Sequence, residues 1–304
     1  MRRSVIALVA GLAALMVSIA PVSAVTNDYR PDPDHVYVGL IAFYDSNWTF
    51  IHRCTGELLA PTIVLTAGHC PDDGTGSGAV AAHARIWVLQ DVGSHYDPAT
   101  QHDPVTGYPD SCTGTLGNGL GVWCAEADVM YNYGFDGFAT FPNTHDIGVV
   151  VLNQPIHVSR YAALASAGTI DGLGKKRGVQ DTSFRVSGYG LSYSLTKGTN
   201  ARSLSFRVRL QGDETLINLG NQTTLGFNLE TQGNGNGRAG TCSGDSGGPI
   251  LYPAGSDTIV GVTSFGNSNA GCRGPNWYYR SDRQPVIDWI LQKAGAAASQ
   301  IVVR

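Results

Sequence analysis

Residues 240–251 read GTCSGDSGGPIL, and the reading of this stretch decides the fold. Ser246 has Asp245 before it, two glycines after it, Gly244 two positions upstream and Cys242 four positions upstream. A serine hydroxyl is a weak nucleophile at neutral pH. It needs a base within hydrogen-bond reach and donors for the oxyanion it creates. Flanking glycines let the backbone bend so that the hydroxyl stands clear and peptide N–H groups converge on a carbonyl. Gly, Asp and Ser are also the ordinary residues of turns, so GDSGG alone reads equally well as a plain turn. A base and a carboxylate elsewhere in the chain have to decide.

Residues 54–70, CTGELLAPTIVLTAGHC, read as a strand, a Pro-containing turn and a second, β-branched strand leading to His69 beside Cys70. If Cys54 and Cys70 pair, the loop is tethered at both ends and the imidazole is fixed, as a general base requires. Residues 144–152, THDIGVVVL, place Asp146 at the mouth of an apolar run that reads as a buried strand. A carboxylate there is either a turn residue or the hydrogen-bonded partner of a fixed group, and His69 is such a group. The order of the three residues excludes one competitor. In α/β-hydrolases, which share a GxSxG turn, the histidine follows the serine, whereas the last histidine here is His157. The order His69, Asp146, Ser246 is the chymotrypsin-type order.

Short β-rich segments at 36–50, 85–89, 183–188, 203–210, 216–219, 224–229, 249–252, 259–265 and 277–279 alternate with turn signals, an all-β pattern. Residues 281–298 break it: Val286, Ile287, Trp289, Ile290 and Lys293 keep helical spacing, with Ser281 or Asp282 as N-cap and Gly295 weakening the end. Residues 91–138 read as a long loop region in which Cys112 and Cys124 bracket a Gly-rich segment. Its Asp91, Asp97, Asp103 and Asp110 lack EF-hand spacing and read as solvated turn residues rather than calcium ligands. Residues 153–176 form a Pro- and Gly-punctuated linker.

Arg2 and Arg3, the apolar run 5–20 and the small residues Val22-Ser23-Ala24 read as a signal peptide cleaved after Ala24. No other stretch approaches membrane-spanning length. Charged residues make up 14% of the chain against roughly 25% on average, and glycines number 39 in 304, nearly twice the usual ~7%. The net charge of −4 gives no electrostatic case for nucleic acid or an anionic membrane, and the one tight basic cluster, residues 175–177, reads as a solvated loop. Six cysteines behind a signal peptide read as three disulfides, with 15 connectivities open. With no CxxC pair, they do not suggest a metal site.

Together these stretches resemble the trypsin/chymotrypsin-like serine peptidases. The resemblance rests on LTAGHC around His69, HDIGVVVL around Asp146, GDSGGPI around Ser246, VSGYG at 186–190, TSFG at 263–266 and the helix with Trp289-Ile290. It covers residues 36–291 and leaves an apparent insertion near 91–133. It implies an all-β fold of two six-stranded antiparallel β-barrels with the active site between them, plus a C-terminal helix. Residues 25–165 would form the first barrel and 166–304 the second barrel and helix. Ser246 would attack the scissile carbonyl, His69 would carry the proton, and Asp146 would hold the imidazole. The N–H groups of Gly244 and Ser246 would form the oxyanion hole, and Ser264 would bond the aspartate. Cys54–Cys70 and Cys242–Cys272 are family disulfides, and subtraction leaves Cys112–Cys124.

The same resemblance places Gly240, Thr241, Ser243, Ser264, Phe265, Gly266 and Asn276 around the primary specificity pocket. Trypsin-like members that cut after Arg or Lys carry aspartate where this chain has Gly240, so no strong Arg/Lys preference is expected, and a small or uncharged P1 residue is. No Ile/Val-Val-Gly-Gly activation sequence exists in the chain. Asp245, which pairs with the new N-terminus in the family, is expected to find another partner or the Val25 terminus. The resemblance thus implies a secreted, extracellular, monomeric endopeptidase acting on polypeptides without metal or cofactor. The alternative is a catalytically silent homologue used as a binding module.

Overall fold

The computed structural model describes residues 25–73, 79–92, 106–109, 112, 123–175, 182–192, 207–233, 238–266, 272 and 274–304. The expected signal peptide, Asp97, Asp103, Asp110, the pair 176–177 and the start of the expected strand at 203–210 lie outside the described residues.

Two short strands open the fold, β1 (Thr26–Asn27) and β2 (Arg30–Pro31). A first sheet then uses β3 (Val38–Tyr44), β4 (Phe50–Ala60), β5 (Ile63–Thr66), β6 (His83–Trp87), β7 (Cys124–Ala127), β8 (Val129–Asn132) and β9 (Gly148–Val151). Its spatial order is β7-β6-β3-β4-β5-β9-β8. The two ends of that path are one stretch broken only at Asp128: β7 pairs with β6 and β8 with β9. The Asn153 N–H adds a bond to the Glu126 carbonyl at 2.8 Å. The sheet therefore curls back to meet itself, with the 124–132 stretch serving both flanks.

The second sheet uses β10 (Ala163–Leu164), β11 (Ser183–Gly188), β12 (Leu210–Asn218), β13 (Asn228–Gln232), β15 (Pro249–Leu251), β16 (Thr258–Gly266) and β17 (Pro275–Arg280), while β14 (Ala239–Gly240) lies outside it. Six of these close a ring, β16-β15-β11-β12-β13-β17, through the β16–β17 pairing. Outside the ring, β10 lies parallel to β16, β2 pairs with β12, and β1 pairs with β14. Of the N-terminal strands, β2 thus joins the second sheet, while β1 and β14 form a two-stranded sheet of their own. The helix α1 (Gln284–Ala294), the single α-helix among the described residues, and a 3-10 turn (Gly295–Gln300) end the fold. Buried Val286, Ile290 and Ala294 join the core of the first sheet, and Trp289 meets Tyr133 with ring centroids 5.0 Å apart. The architecture is the expected all-β pair of barrels with a C-terminal helix.

The N-terminal segment is also held by a buried polar knot. Asp32 accepts the backbone N–H of His35 at 3.1 Å, its two oxygens each lie 2.8 Å from His35 Nδ1, and Ser187 Oγ donates to it. Arg209 Nε donates to the Asp32 carbonyl at 3.0 Å and Nη1 to the Val38 carbonyl at 2.8 Å, which bonds the segment to both sheets.

Several expectations are corrected. The strand expected over 36–50 stops at Tyr44, because Asp45 accepts the N–H groups of Asn47 and Thr49, each at 2.8 Å, and folds 45–49 into a hairpin turn. The loop expected over 91–138 contains β7 and β8, so any insertion ends before Cys124. Alanines and acidic residues are weak strand formers, and pairing with β6 and β9 overrides them. Of the strand expected at 203–210, only Leu210 among the described residues lies in a strand; it opens β12, which runs across Gly212 and Asp213 into most of the strand expected at 216–219. The strand expected at 224–229 starts only at Asn228, after a turn tied by the Asn221 side chain to Thr223 and Thr224. Neither Ser281 nor Asp282 caps the helix. Ser281 Oγ bonds the Ile259 carbonyl, Asp282 pairs with Arg280, and Arg283 occupies the cap without a side-chain bond.

Candidate active site

His69 sits in the turn that follows β5, where the Cys70 N–H bonds the Ala67 carbonyl at 3.2 Å and the Cys54–Cys70 disulfide ties the turn to β4. The other bridges are Cys112–Cys124 and Cys242–Cys272, the set implied by the resemblance. Asp146 lies just before β9, in a tight turn closed by the Ile147 N–H on the His145 carbonyl at 2.8 Å, with His145 at φ 52°. Strands β5 and β9 are paired, so the two turns emerge side by side. Asp146 is fully buried. Its oxygens lie 3.1 and 3.0 Å from His69 Nδ1, and Oδ1 also accepts the His69 backbone N–H at 2.8 Å. Ser264 Oγ, from β16, donates to Oδ2. Burial works against the His69 imidazolium, but the charge and hydrogen bond of Asp146, with help from Asp72, outweigh it and raise the ring above its ordinary value.

Ser246 stands on the loop between β14 and β15. Thr55 of β4 grips that loop at two points: its N–H bonds the Ser246 carbonyl at 2.8 Å, and its Oγ1 bonds the Gly244 carbonyl at 2.8 Å. Gly247, at φ 79°, presses so close that a side chain there would start 2.0 Å from Thr66 Oγ1. Gly244 has φ 96°, open to glycine but strained for other residues. Among the described residues, neither the Gly244 nor the Ser246 N–H donates to a protein acceptor, so both remain available to a ligand. No hydrogen bond joins Ser246 Oγ to the His69 ring among these residues; such contacts often tighten only on substrate binding. Asp245 is buried and accepts the Gly190 N–H at 2.8 Å and the Cys242 N–H at 2.9 Å. Burial pushes its carboxyl up to about 7 despite those bonds.

Beside Ser246 opens a cavity of about 120 Å³, lined by residues 241–243, Ser246, residues 263–266, Cys272 and Asn276. Gly240, expected at its floor, does not line it. Gly240 pairs with Thr26 on β1, and a side chain there would point at the Gly233 carbonyl, 2.0 Å away. The N-terminal strand, whose attachment here has no sequence cue, turns this position away. Among the described residues, the cavity lining carries no charged side chain.

Three features had no sequence signal. Thr55 is an ordinary strand residue until its partners are known. Glu214, buried in β12, accepts Thr231 Oγ1 and Asn276 Nδ2, the latter at 3.0 Å, directly behind the cavity. An aromatic shelf runs from His69 through Phe135 and Phe138 to Phe265 and Trp277, with successive centroids 5.1–5.7 Å apart. Among the described residues, the single cluster with metal-type ligands, Cys54, His69 and Cys70, contains the two sulfurs of a disulfide and so offers no thiolate.

The family model described as Trypsin matches residues 126–290. Spaetzle-processing enzyme of Drosophila melanogaster is 31% identical over 275 residues, covering 81% of this chain and 59% of that protein. Brachyurin of Leptuca pugilator is 29% identical over 256 residues, covering 81% of this chain and 89% of that protein. Among solved structures, HL collagenase superposes with a TM-score of 0.56 at 17% identity, covering 86% of this chain and 94% of that one. The scabies mite inactivated protease paralogue S-D1 superposes with a TM-score of 0.53, also at 17% identity, covering 86% and 93%. At such identities these structures bear on the fold alone.

Proposed function

Because the chain belongs to the trypsin family of serine proteases, we propose that it is an active, secreted serine endopeptidase working through His69, Asp146 and Ser246. The observation that carries this reading is the Asp146 carboxylate, fully buried and shared between the His69 ring, the His69 backbone and Ser264. That bonding fixes the ring and its tautomer, and the His69 side chain is left 26% exposed in a turn whose Cys70 lies 3.6 Å from the Ser246 carbonyl, as a general base serving Ser246 needs.

In this mechanism His69 takes the Ser246 proton as the hydroxyl attacks the scissile carbonyl and passes it to the leaving amine. Water then enters by the same route to release the acyl group. Asp146 stabilises the imidazolium formed between these steps. The unbonded N–H groups of Gly244 and Ser246 receive the oxyanion, each worth roughly 3–4 kcal/mol in such chemistry. Thr55 fixes the Gly244–Asp245 peptide, between the two N–H groups, by holding the Gly244 carbonyl. The uncharged cavity supports a P1 residue other than Arg or Lys, since a cation entering it would shed water without meeting a carboxylate. Polypeptide substrates, release from the cell and action as a monomer belong to the same proposal.

Wild type and Ser246→Ala are compared on casein, alongside labelling by a serine-directed organophosphonate. Cleavage and labelling confined to wild type are expected. Correctly folded wild type that neither labels nor cleaves would instead favour the binding-module reading.

A further inference from the structure

The floor of the cavity is built by residues that the active-site machinery does not use. Asn276, on β17, is only 3% exposed, and its Nδ2 is committed to Glu214 Oε1 at 3.0 Å. Its Oδ1 is thereby turned the other way, to a point 3.1 Å from where a side chain on Gly266 would begin, on the cavity side. Among the described residues no donor reaches that oxygen. Glu214 is fully buried, Thr231 Oγ1 donates to its other oxygen and the Thr241 peptide N–H is directed at the same carboxyl; ionised, above about pH 7, it can only accept, so Asn276 must turn Nδ2 toward it. Thr241 and Asn276 both line the cavity, so one hidden carboxyl orients two parts of its wall.

We propose that Glu214 acts as a positioning residue for the specificity pocket, holding Asn276 with its Oδ1 facing inward, so that the pocket selects a P1 side chain with a neutral hydrogen-bond donor, glutamine above all. The proposal rests on the peptidase reading and narrows its substrate class. An apolar P1 side chain would cover Asn276 Oδ1 without supplying a donor, and an unpaired buried acceptor is penalised. A Lys or Arg side chain would supply donors, but its charge would face an amide oxygen, with the nearest carboxyl already engaged behind it. An amide satisfies both requirements. Its NH₂ meets Asn276 Oδ1, and its own carbonyl meets hydroxyls of the wall, where Thr241 and Ser243 stand, the Thr263 hydroxyl being committed to the Gly248 carbonyl. Sites built to hydrogen-bond a substrate group discriminate strongly against the analogue that lacks it.

The experiment uses the secreted wild-type protein and three peptides that differ only at P1: Gln, its near-isostere Met, and Ala, which is too short to reach the floor. Wild type is expected to cleave the Gln peptide at a kcat/KM about tenfold or more above the Met peptide. Glu214→Gln keeps the shape but frees Asn276 to present either face. It is expected to collapse the Gln-to-Met ratio toward one, by a larger factor than it lowers the rate on the Ala peptide. A general loosening of the fold would lower all three rates together and overturn the positioning role. Asn276→Leu is expected to invert the ratio in favour of Met, giving a second route if Glu214→Gln folds poorly. Wild type that labels with the phosphonate yet cleaves the Met peptide as well as the Gln peptide overturns this proposal and leaves the peptidase reading standing. Folded wild type that neither labels nor cleaves any of the peptides overturns both.

Discussion

Replacing Gly240 separates the geometry found here from the pocket that sequence resemblance implies. If position 240 formed the pocket floor, Gly240→Asp would install a counter-charge for Arg or Lys. In the structure, a side chain at 240 starts 2.0 Å from the Gly233 carbonyl and 2.8 Å from Thr26 Oγ1, closer than the 3.0 Å below which something must shift. One strand must therefore retreat by roughly 1 Å, and two bonds stand in the way: Thr26 Oγ1 to the Gly240 carbonyl at 3.0 Å and Asn27 Nδ2 to the Gly233 carbonyl at 3.3 Å. Overpacking of this kind costs about 1–3 kcal/mol, and each lost bond about 0.5–1.5 kcal/mol. For Gly240→Ala, which isolates the steric effect, a loss of about 2–4 kcal/mol is expected. In a chain of this length that lowers Tm by about 5–15 °C. Gly240→Asp adds a buried carboxylate and is expected to lose more. Thermal unfolding by circular dichroism measures the first effect, and kcat/KM on P1 Arg, Lys and Gln peptides measures the second. An Ala variant melting within about 1 °C of wild type would refute the reasoning, as would an Asp variant that gains strong Arg cleavage at wild-type stability.

Asp146→Asn should lower kcat by about 10⁴-fold with Tm nearly unchanged, since it removes the imidazolium's counter-charge and favours the wrong tautomer. The acid limb of kcat/KM should have its midpoint above the ordinary histidine value of 6.5, because His69 is raised in the folded protein; a midpoint below 6.5 would contradict the assignment. Asp245 and Glu214, raised by burial from 3.8 and 4.5 to about 7, stay protonated in the folded chain where the unfolded chain has released those protons. Their stabilising contribution is therefore complete below about pH 4 and is lost as pH rises toward 7, so Tm should fall over that window and Asp245→Asn should flatten the fall. Asp32 is the opposite case: despite burial, its bonds to His35 and Ser187 hold it down at about 2. Its stabilisation is present above 3.8 and lost as pH falls through 2, and Asp32→Asn should remove about 2 kcal/mol at neutral pH while leaving kcat near wild type.

Legibility in the sequence followed the range of the interaction involved. That His69, Asp146 and Ser246 sit in turns was readable because each borders a strand in a local pattern that fixes the backbone whatever its distant partners are. Short strands such as 183–188, with alternating buried residues, were readable for the same reason. The stretch 124–132 was not, because its alanines and acidic residues become strand only through pairing with β6 and β9. Gly240 was misassigned to the pocket floor because the residue that turns it away, Thr26, lies at the other end of the chain. Glu214 was invisible because its meaning depends wholly on what it meets. An acidic residue in a β-rich segment normally reads as solvent-facing, and only closure of the ring through β13 and β17 places Thr231 and Asn276 around it.

The Asp32 knot shows what pattern alone cannot decide, because it repeats the active-site bonding almost atom for atom. In both places an aspartate with no exposed surface accepts a histidine backbone N–H, lies against that histidine's Nδ1 and takes a serine hydroxyl from a second-sheet strand. The differences lie in what surrounds the ring. The His69 side chain is 26% exposed and lies in the same cleft region as Ser246 with its two open N–H groups; that of His35 is 3% exposed and packed against Tyr37. Arg209 also lies 3.9 Å from Asp32 Oδ2, a cation that the Asp146 site lacks among the described residues. An aspartate neutralised by a permanent guanidinium has less negative potential to offer an imidazolium, so the same hydrogen bonds serve there to fasten a segment. Around Asp146 the histidine is the only basic group in contact among the described residues, so the carboxylate charge is available when the ring takes a proton.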